Sequence, residues 1–252
     1  MEVALGIQFE APGWSGMSIS EFWSRVRAEY PTREEHPPLG PLVEEFGAAA
    51  PPRVELKLLA QAPMPRYWFI DATGHFLIQV QQDRLVLNWR KVDDTDEYPR
   101  YGELRDRLAH VLAEFEAVED VEAFRPNWCE VAYINHVPVD DHGTLHDILV
   151  SVSAPPPSPL RPVLEDVQFL QRFPLARQDL GLGRLNVQAM PAFRSETNEP
   201  IYLLTLTVRG NLTTPTSESA LEFLDYGREL IVRSFADLTT PEMHRRWKVE
   251  GV

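Results

Sequence analysis

The sequence predicts an α+β protein made of two similar β-α-β(n)-α halves, residues 1–125 and 126–252, closely packed on each other, with antiparallel sheets and helices on one face. Three observations predict it. Between residues 67 and 92, apolar and polar residues alternate in short runs separated by turn residues, the period of an antiparallel meander. Residues 98–118 and the segment after Thr214 instead repeat their apolar residues at helical spacing. The order of elements then recurs, and fragments recur with it: EVALGIQF at 2–9 is similar to EVAYINHV at 130–137, and LRDRLAHVLAEF at 104–115 is similar to LDYGRELIVRSF at 224–235 in its apolar positions. Duplication accounts for that likeness; generic amphipathic patterning is the alternative.

Residues 3–9 (VALGIQF) read as a buried strand. Ser18 caps the first helix with Glu21 at capping-box spacing, and Ile19, Phe22, Trp23 and Val26 form its apolar stripe. Pro31 ends this signal, and 31–52, rich in Pro, Gly and Ala, reads as a connection with a short helical turn at 39–46. Val54, Leu56 and Leu58 alternate with charged residues, and YWFID (67–71), HFLIQVQ (75–81) and RLVLNWRKV (84–92) follow with Gly74 and Asp83 near the turns. Helix 98–118 places Leu104, Leu108, Val111, Leu112 and Phe115 on one face. The second half opens with the strand CEVAYINHVPV and passes through a weak helix and a proline-rich loop at 154–162. A helical LEDVQFLQRF (164–173) and strands at 184–194 and 200–210 come next. Thr214 caps a long closing helix with Pro215 in its first position, and Thr240-Pro241 repeats that logic for a last turn ending near Trp247.

The 252 residues are 44% hydrophobic and 25% charged, the balance of a chain that folds around its own core. A formal charge of −14 disfavours phosphate backbones and anionic membranes and favours basic or neutral partners. Arg84, Arg90, Lys91, Arg100, Arg105 and Arg107 nevertheless lie close enough in sequence to build a local basic face. Cys129 is the single cysteine, so no intrachain disulfide can form and a reducing, cytoplasmic setting is expected. Its nearest basic neighbour, His136, is seven residues along the same strand and therefore on the opposite face. The N-terminus lacks a basic segment followed by an apolar run, and no stretch approaches the ~20 apolar residues of a membrane span.

The segment HVPVDDHGTLHD places His136, Asp140, Asp141, His142, His146 and Asp147 together. Imidazoles and carboxylates suit a transition metal, with His142 and His146 as the weak candidates. Gly143 breaks their helical alignment, and a turn followed by Thr144 as a cap accounts for the same residues. The chain has no Gly-x-Ser-x-Gly elbow, no lysine-bearing phosphate loop and no His-Glu-x-x-His helix, so no catalytic residue and no cofactor is expected. The segment 87–105 gathers Trp89, Arg90, Lys91, Tyr98, Arg100 and Tyr101, a mixture favoured at protein-binding hot spots. Packing of the strand end onto the next helix is the alternative, and base stacking a further one. Glu34, Glu35, Glu44 and Glu45 flank proline-rich turns and read as solvated, or as recruiting a basic partner.

The run LIQVQQDRLVLNWRKV…EYPRYGELRDRL, with RYWFID before it, resembles the liQvQ…NWRk…YPrY core of a sporadically distributed bacterial family of uncharacterised proteins. Asp83, Arg84, Asn88 through Lys91 and Tyr98 through Tyr101 carry that likeness, with Tyr133, Ile134, Asn135, Phe235 and Trp247 beyond it. The patchy distribution of that family is similar to that of toxin–antitoxin, immunity and phage-defence genes. The missing catalytic motifs, the acidic charge and the aromatic–arginine segment point to a non-catalytic interaction module in such a role, whose partner is another protein encoded nearby. A small-molecule or nucleotide-binding sensor or enzyme, with a pocket between sheet and helices, is the alternative. In outline the duplicated unit is also similar to the saddle of the TATA-binding protein, although the acidic charge argues against a DNA-binding role. Open edge strands are compatible with a homodimer.

Overall fold

The computed structural model describes residues 1–10, 14–40, 44, 46, 64–93, 96–119, 124–139, 145–153, 167–175, 177–194 and 197–247. Nine strands pair into one antiparallel sheet: β1 (Glu2–Glu10), β2 (Thr32–His36), β3 (Arg66–Ile70), β4 (Phe76–Gln81), β5 (Arg84–Arg90), β6 (Arg125–Pro138), β7 (Phe169–Pro174), β8 (Gly183–Phe193) and β9 (Pro200–Asn211). Their order is β2-β3-β4-β5-β1-β6-β9-β8-β7. The sheet therefore runs without interruption across residues 125/126, through the pairing of β1 with β6.

Strict alternation gives the sheet two unlike faces. Val3, Leu5, Ile7 and Phe9 of β1 point to one side with their cross-strand partners Leu85, Leu87 and Trp89 of β5 and Cys129, Val131 and Tyr133 of β6. All are buried and belong to one apolar cluster. Helices α1 (Gly16–Val26), α2 (Tyr101–Glu116) and α4 (Ser217–Leu238) pack on this face. Phe22 of α1 meets Phe69 at a ring separation of 6.1 Å, and Phe115 of α2 meets Phe9 at 4.9 Å. The short helices α3 (Leu145–Ile148) and α5 (Pro241–Trp247) meet at the end of α4, where Leu149 bridges Thr239.

Helix α4 lies so close to the sheet that only glycine fits at its midpoint. A Cβ on Gly227 would stand 2.5 Å from Val131 Cγ1 and 3.2 Å from Val208 Cγ1. Both valines are fully buried on neighbouring strands.

Four elements differ from their sequence-based expectation. Helix α1 starts earlier: Ser15, not Ser18, is its N-cap, and Ser18 answers from the third helical position in a Ser–Ser capping box. Helix α4 is capped by Thr216, whose hydroxyl accepts from Ser219 N at 3.2 Å, so Thr214 and Pro215 lie outside it. Residues 169–174, expected at the end of a helix, form β7 because six positions in register with β8 supply backbone partners that an isolated helical turn lacks. Residues 32–36, expected as loop, form β2; TREEH carries no apolar alternation because it is an exposed edge strand held by its pairing with β3. Of the turn expected at 39–46, the described residues 39, 40, 44 and 46 are irregular, and the alternating Val54, Leu56 and Leu58 lie outside the described residues. Among the described residues, no helix is long and apolar enough to cross a membrane.

Candidate functional site

The aromatic–arginine segment singled out from sequence divides among several environments. Trp89 lies on the helix-bearing face, buried, with its ring edge-on to Tyr98 at 5.3 Å. The Tyr98 and Tyr133 hydroxyls meet at 2.9 Å, and burial pushes both above the ordinary phenol range, so they stay neutral. Tyr101 donates its hydroxyl to Asp225 Oδ1 at 2.9 Å, where Arg105 Nε also donates, tying α2 to α4. Arg90 points to the opposite face and donates to the Gly74 carbonyl at 2.9 Å. Lys91 N donates to Met1 O at 3.0 Å, and Arg100 is exposed at the N-cap of α2. Of the six, Trp89 meets Tyr98 between sheet and helices, and Tyr101 packs against the same core from α2.

The cationic residues 84–107 are likewise split, with Arg84 and Arg90 on the sheet face that bears no helix among the described residues (the helix-free face) and Arg105 and Arg107 on α2. His142 lies outside the described residues. His146, in α3, stands 3.7 Å from Asp147 Oδ1. Cys129 and His136 fall on opposite faces of β6, and burial pushes the Cys129 thiol far above its usual range.

The helix-free face is the more informative one, and part of it is covered: Gln79, Gln81, Arg84 and Asn88 are buried. Seven arginines project from its strands (Arg66, Arg84, Arg90, Arg125, Arg172, Arg184 and Arg209) against four carboxylates (Glu2, Glu10, Glu34 and Glu130), as the strand registers place them. Amides lie between them: Gln79 takes Arg66 Nη1 at 2.6 Å and passes its own Nε2 to Asn88 Oδ1 at 2.7 Å. Asn88 continues to Glu2 at 2.7 Å. Arg209 Nε donates to Glu130 Oε2 at 2.6 Å. Arg84 is only 5% exposed; burial lowers its pKa from the usual guanidinium value, and its Nε has no acceptor among the described residues.

Residues following β2 cross this face. Leu39 exchanges two hydrogen bonds with the Gln81 side chain, N–H to Oε1 at 2.9 Å and Nε2 to O at 3.1 Å. The Gly40 carbonyl accepts from Arg84 Nη2. Further along, the Glu44 carboxylate takes Arg184 at 2.7 Å, Asn186 at 3.1 Å and Arg209 at 3.4 Å, while Arg184 also covers the Phe46 ring at 4.9 Å. Glu44, expected from sequence to be solvated, is 9% exposed.

A separate cavity of about 300 Å³ opens between α4 and the β7–β8 edge, lined by Phe173, Leu185, Tyr226, Leu230 and Asp237 among others. It lies away from Trp89 and Tyr98.

Sequence reasoning did not single out the helix-free array. Its signal is the polar half of each alternation: Gln79 and Gln81, Arg84 and Asn88, Arg184 and Asn186, Thr207 and Arg209. Which of these strands become neighbours is a matter of sheet order. No protein-family model matches the chain, and neither a curated protein nor a solved structure does.

Proposed function

We propose that the protein is a non-catalytic interaction module whose helix-free sheet face holds another polypeptide, encoded nearby, in an antitoxin, immunity or phage-defence accessory role within the cytoplasm. The observation that carries this reading is the charge inversion of that face: an arginine-rich, amide-lined surface on a chain of formal charge −14. Such a surface is poorly suited to covering a second helical layer, because its guanidinium and amide groups need polar partners. Arginine is the side chain most suited to fixing the carboxylates of a protein partner. The parallel element order supports a duplication of the two halves, since the first strand of each pairs with the last, β1 with β5 and β6 with β9.

A photo-crosslinking residue at Thr205, on the helix-free face, captures a polypeptide in the native host, and the same residue at Val232, exposed on α4, does not. Capture from Val232 alone, or from neither position, overturns the reading. The cavity beside α4 favours a second reading, a small apolar ligand held between sheet and helix. A bound small molecule that copurifies with the protein and is lost in Leu230→Trp supports that reading over the first.

A further inference from the structure

We infer that Arg184, Asn186 and Arg209, together with Gln81 and Arg84, form a recognition track for an extended, carboxylate-bearing peptide segment of the partner protein, and that Leu39, Gly40 and Glu44 occupy this track in cis. The inference rests on the proposed use of the helix-free face and names what that face reads.

The contacts define the ligand chemistry. Two guanidiniums and one amide converge on a single carboxylate, with distances of 2.7, 3.1 and 3.4 Å. Charge-assisted bonds of this kind select an acid over its amide isostere. Gln81 engages the Leu39 N–H and C=O together, the two-point reading that an extended backbone allows and a compact side chain does not. Arg84 adds a bond to the next carbonyl.

Two features mark this as a ligand track rather than ordinary packing. Among the described residues of the crossing segment, the large apolar side chains Leu39 and Phe46 stay 39% and 42% exposed rather than entering the core. Its described ties to the sheet are polar or cation–π, and a second peptide can reproduce them. Arg84 Nε, buried and without an acceptor among the described residues, leaves donor capacity that Leu39, Gly40 and Glu44 do not use. Net charge alone points to basic partners. At physiological salt, however, charges separated by more than about 8 Å are largely screened, so the local arginines decide which group docks.

The probe is a fluorescent peptide of sequence HPPLGPLVEEF, matching residues 36–46, titrated by anisotropy against the full chain. Glu44→Gln weakens the cis occupant, so this chain binds the peptide at least about tenfold more tightly than wild type, because the competent state is more populated. Gln at the first glutamate of the peptide lowers that affinity by about tenfold, the scale of losing a charged hydrogen-bond partner. Arg184→Gln in the Glu44→Gln background does the same. Equal affinity for the Glu and Gln peptides, or no binding to the Glu44→Gln chain, overturns the inference. A measurement on the wild-type chain needs no variant to fold: excess peptide accelerates hydrogen exchange at the Leu39 amide, whereas unchanged exchange under saturating peptide overturns displacement. Failure of the underlying reading looks different. If the Thr205 crosslinker captures a polypeptide equally well in an Arg184→Gln/Arg209→Gln chain, the face binds a partner but not through this track. If it captures nothing, both fail.

Discussion

Replacing Gly227 with alanine sets two effects of known sign against each other. In the interior of the 22-residue helix α4, alanine is favoured over glycine by about 1 kcal/mol. The added Cβ, however, would stand 2.5 Å from Val131 Cγ1 and 3.2 and 3.3 Å from Val208 Cγ1 and Cβ. Carbon–carbon contacts settle at about 3.5–4.0 Å, so the helix must lift by roughly 1 Å or both valines must move. Neither has room, since both are fully buried and their strands are locked in register. Overpacking of this kind costs about 1–3 kcal/mol, which exceeds the propensity gain over most of its range. Gly227→Ala is therefore less stable than wild type by about 1 kcal/mol, the difference of those two effects. Urea unfolding reads this as a lowered midpoint at unchanged slope. Val131→Ala removes the nearest clashing methyl, so the double variant is more stable than the two single effects predict, by about 0.5–2 kcal/mol of coupling. A Gly227→Ala protein at least as stable as wild type, with additive behaviour in the double variant, would refute the claim that glycine sets the helix–sheet distance.

Three further outcomes follow from single sites. Ser15→Ala removes the hydroxyl that accepts from Ser18 N and lowers stability by about 1 kcal/mol in thermal or urea melts, whereas Ser18→Ala, which spares the cap itself, costs less. Cys129, fully buried with its thiol pushed up by burial, stays unmodified by a water-soluble thiol reagent at pH 8 in the native protein and reacts fully in denaturant; native labelling at the denatured rate would contradict the placement. The Asp96 carboxyl is held below its usual range by the Asp93 N–H, with His75 and the Val92 N–H assisting. A depressed carboxyl pKa stabilises the fold above the unfolded-state value of about 4 and loses that contribution as pH falls through the folded value. The stability gap between wild type and Asp96→Asn accordingly closes below about pH 4, and a gap that persists or widens there has another origin.

Most strands and the three long helices were legible because each carries its own period. LIQVQ and RLVLN alternate, and Leu104, Leu108, Val111, Leu112 and Phe115 recur at helical spacing, whatever they pack against. The elements that escaped, β2 and β7, are the two sheet edges. TREEH has no apolar pattern to read, and the VQFLQRF run fits a helix as well as a strand until β8 is placed beside it. Trp89 and Tyr98 looked like a binding surface because residue type reports affinity for contact without saying whether the contact is a partner or the chain's own core; the register of β5 turns Trp89 inward. Glu44 looked solvated for the converse reason. Its three donors come from residues more than a hundred positions away, on β8 and β9. The sequence by itself determined the α+β class, the antiparallel meander and the helices packed on one face, because these depend on local periodicity. Only the tertiary structure decided that the arginines of distant strands share one face and that a glutamate from the β2–β3 connection lies among them, because strand order and chain crossing depend on pairings between remote segments.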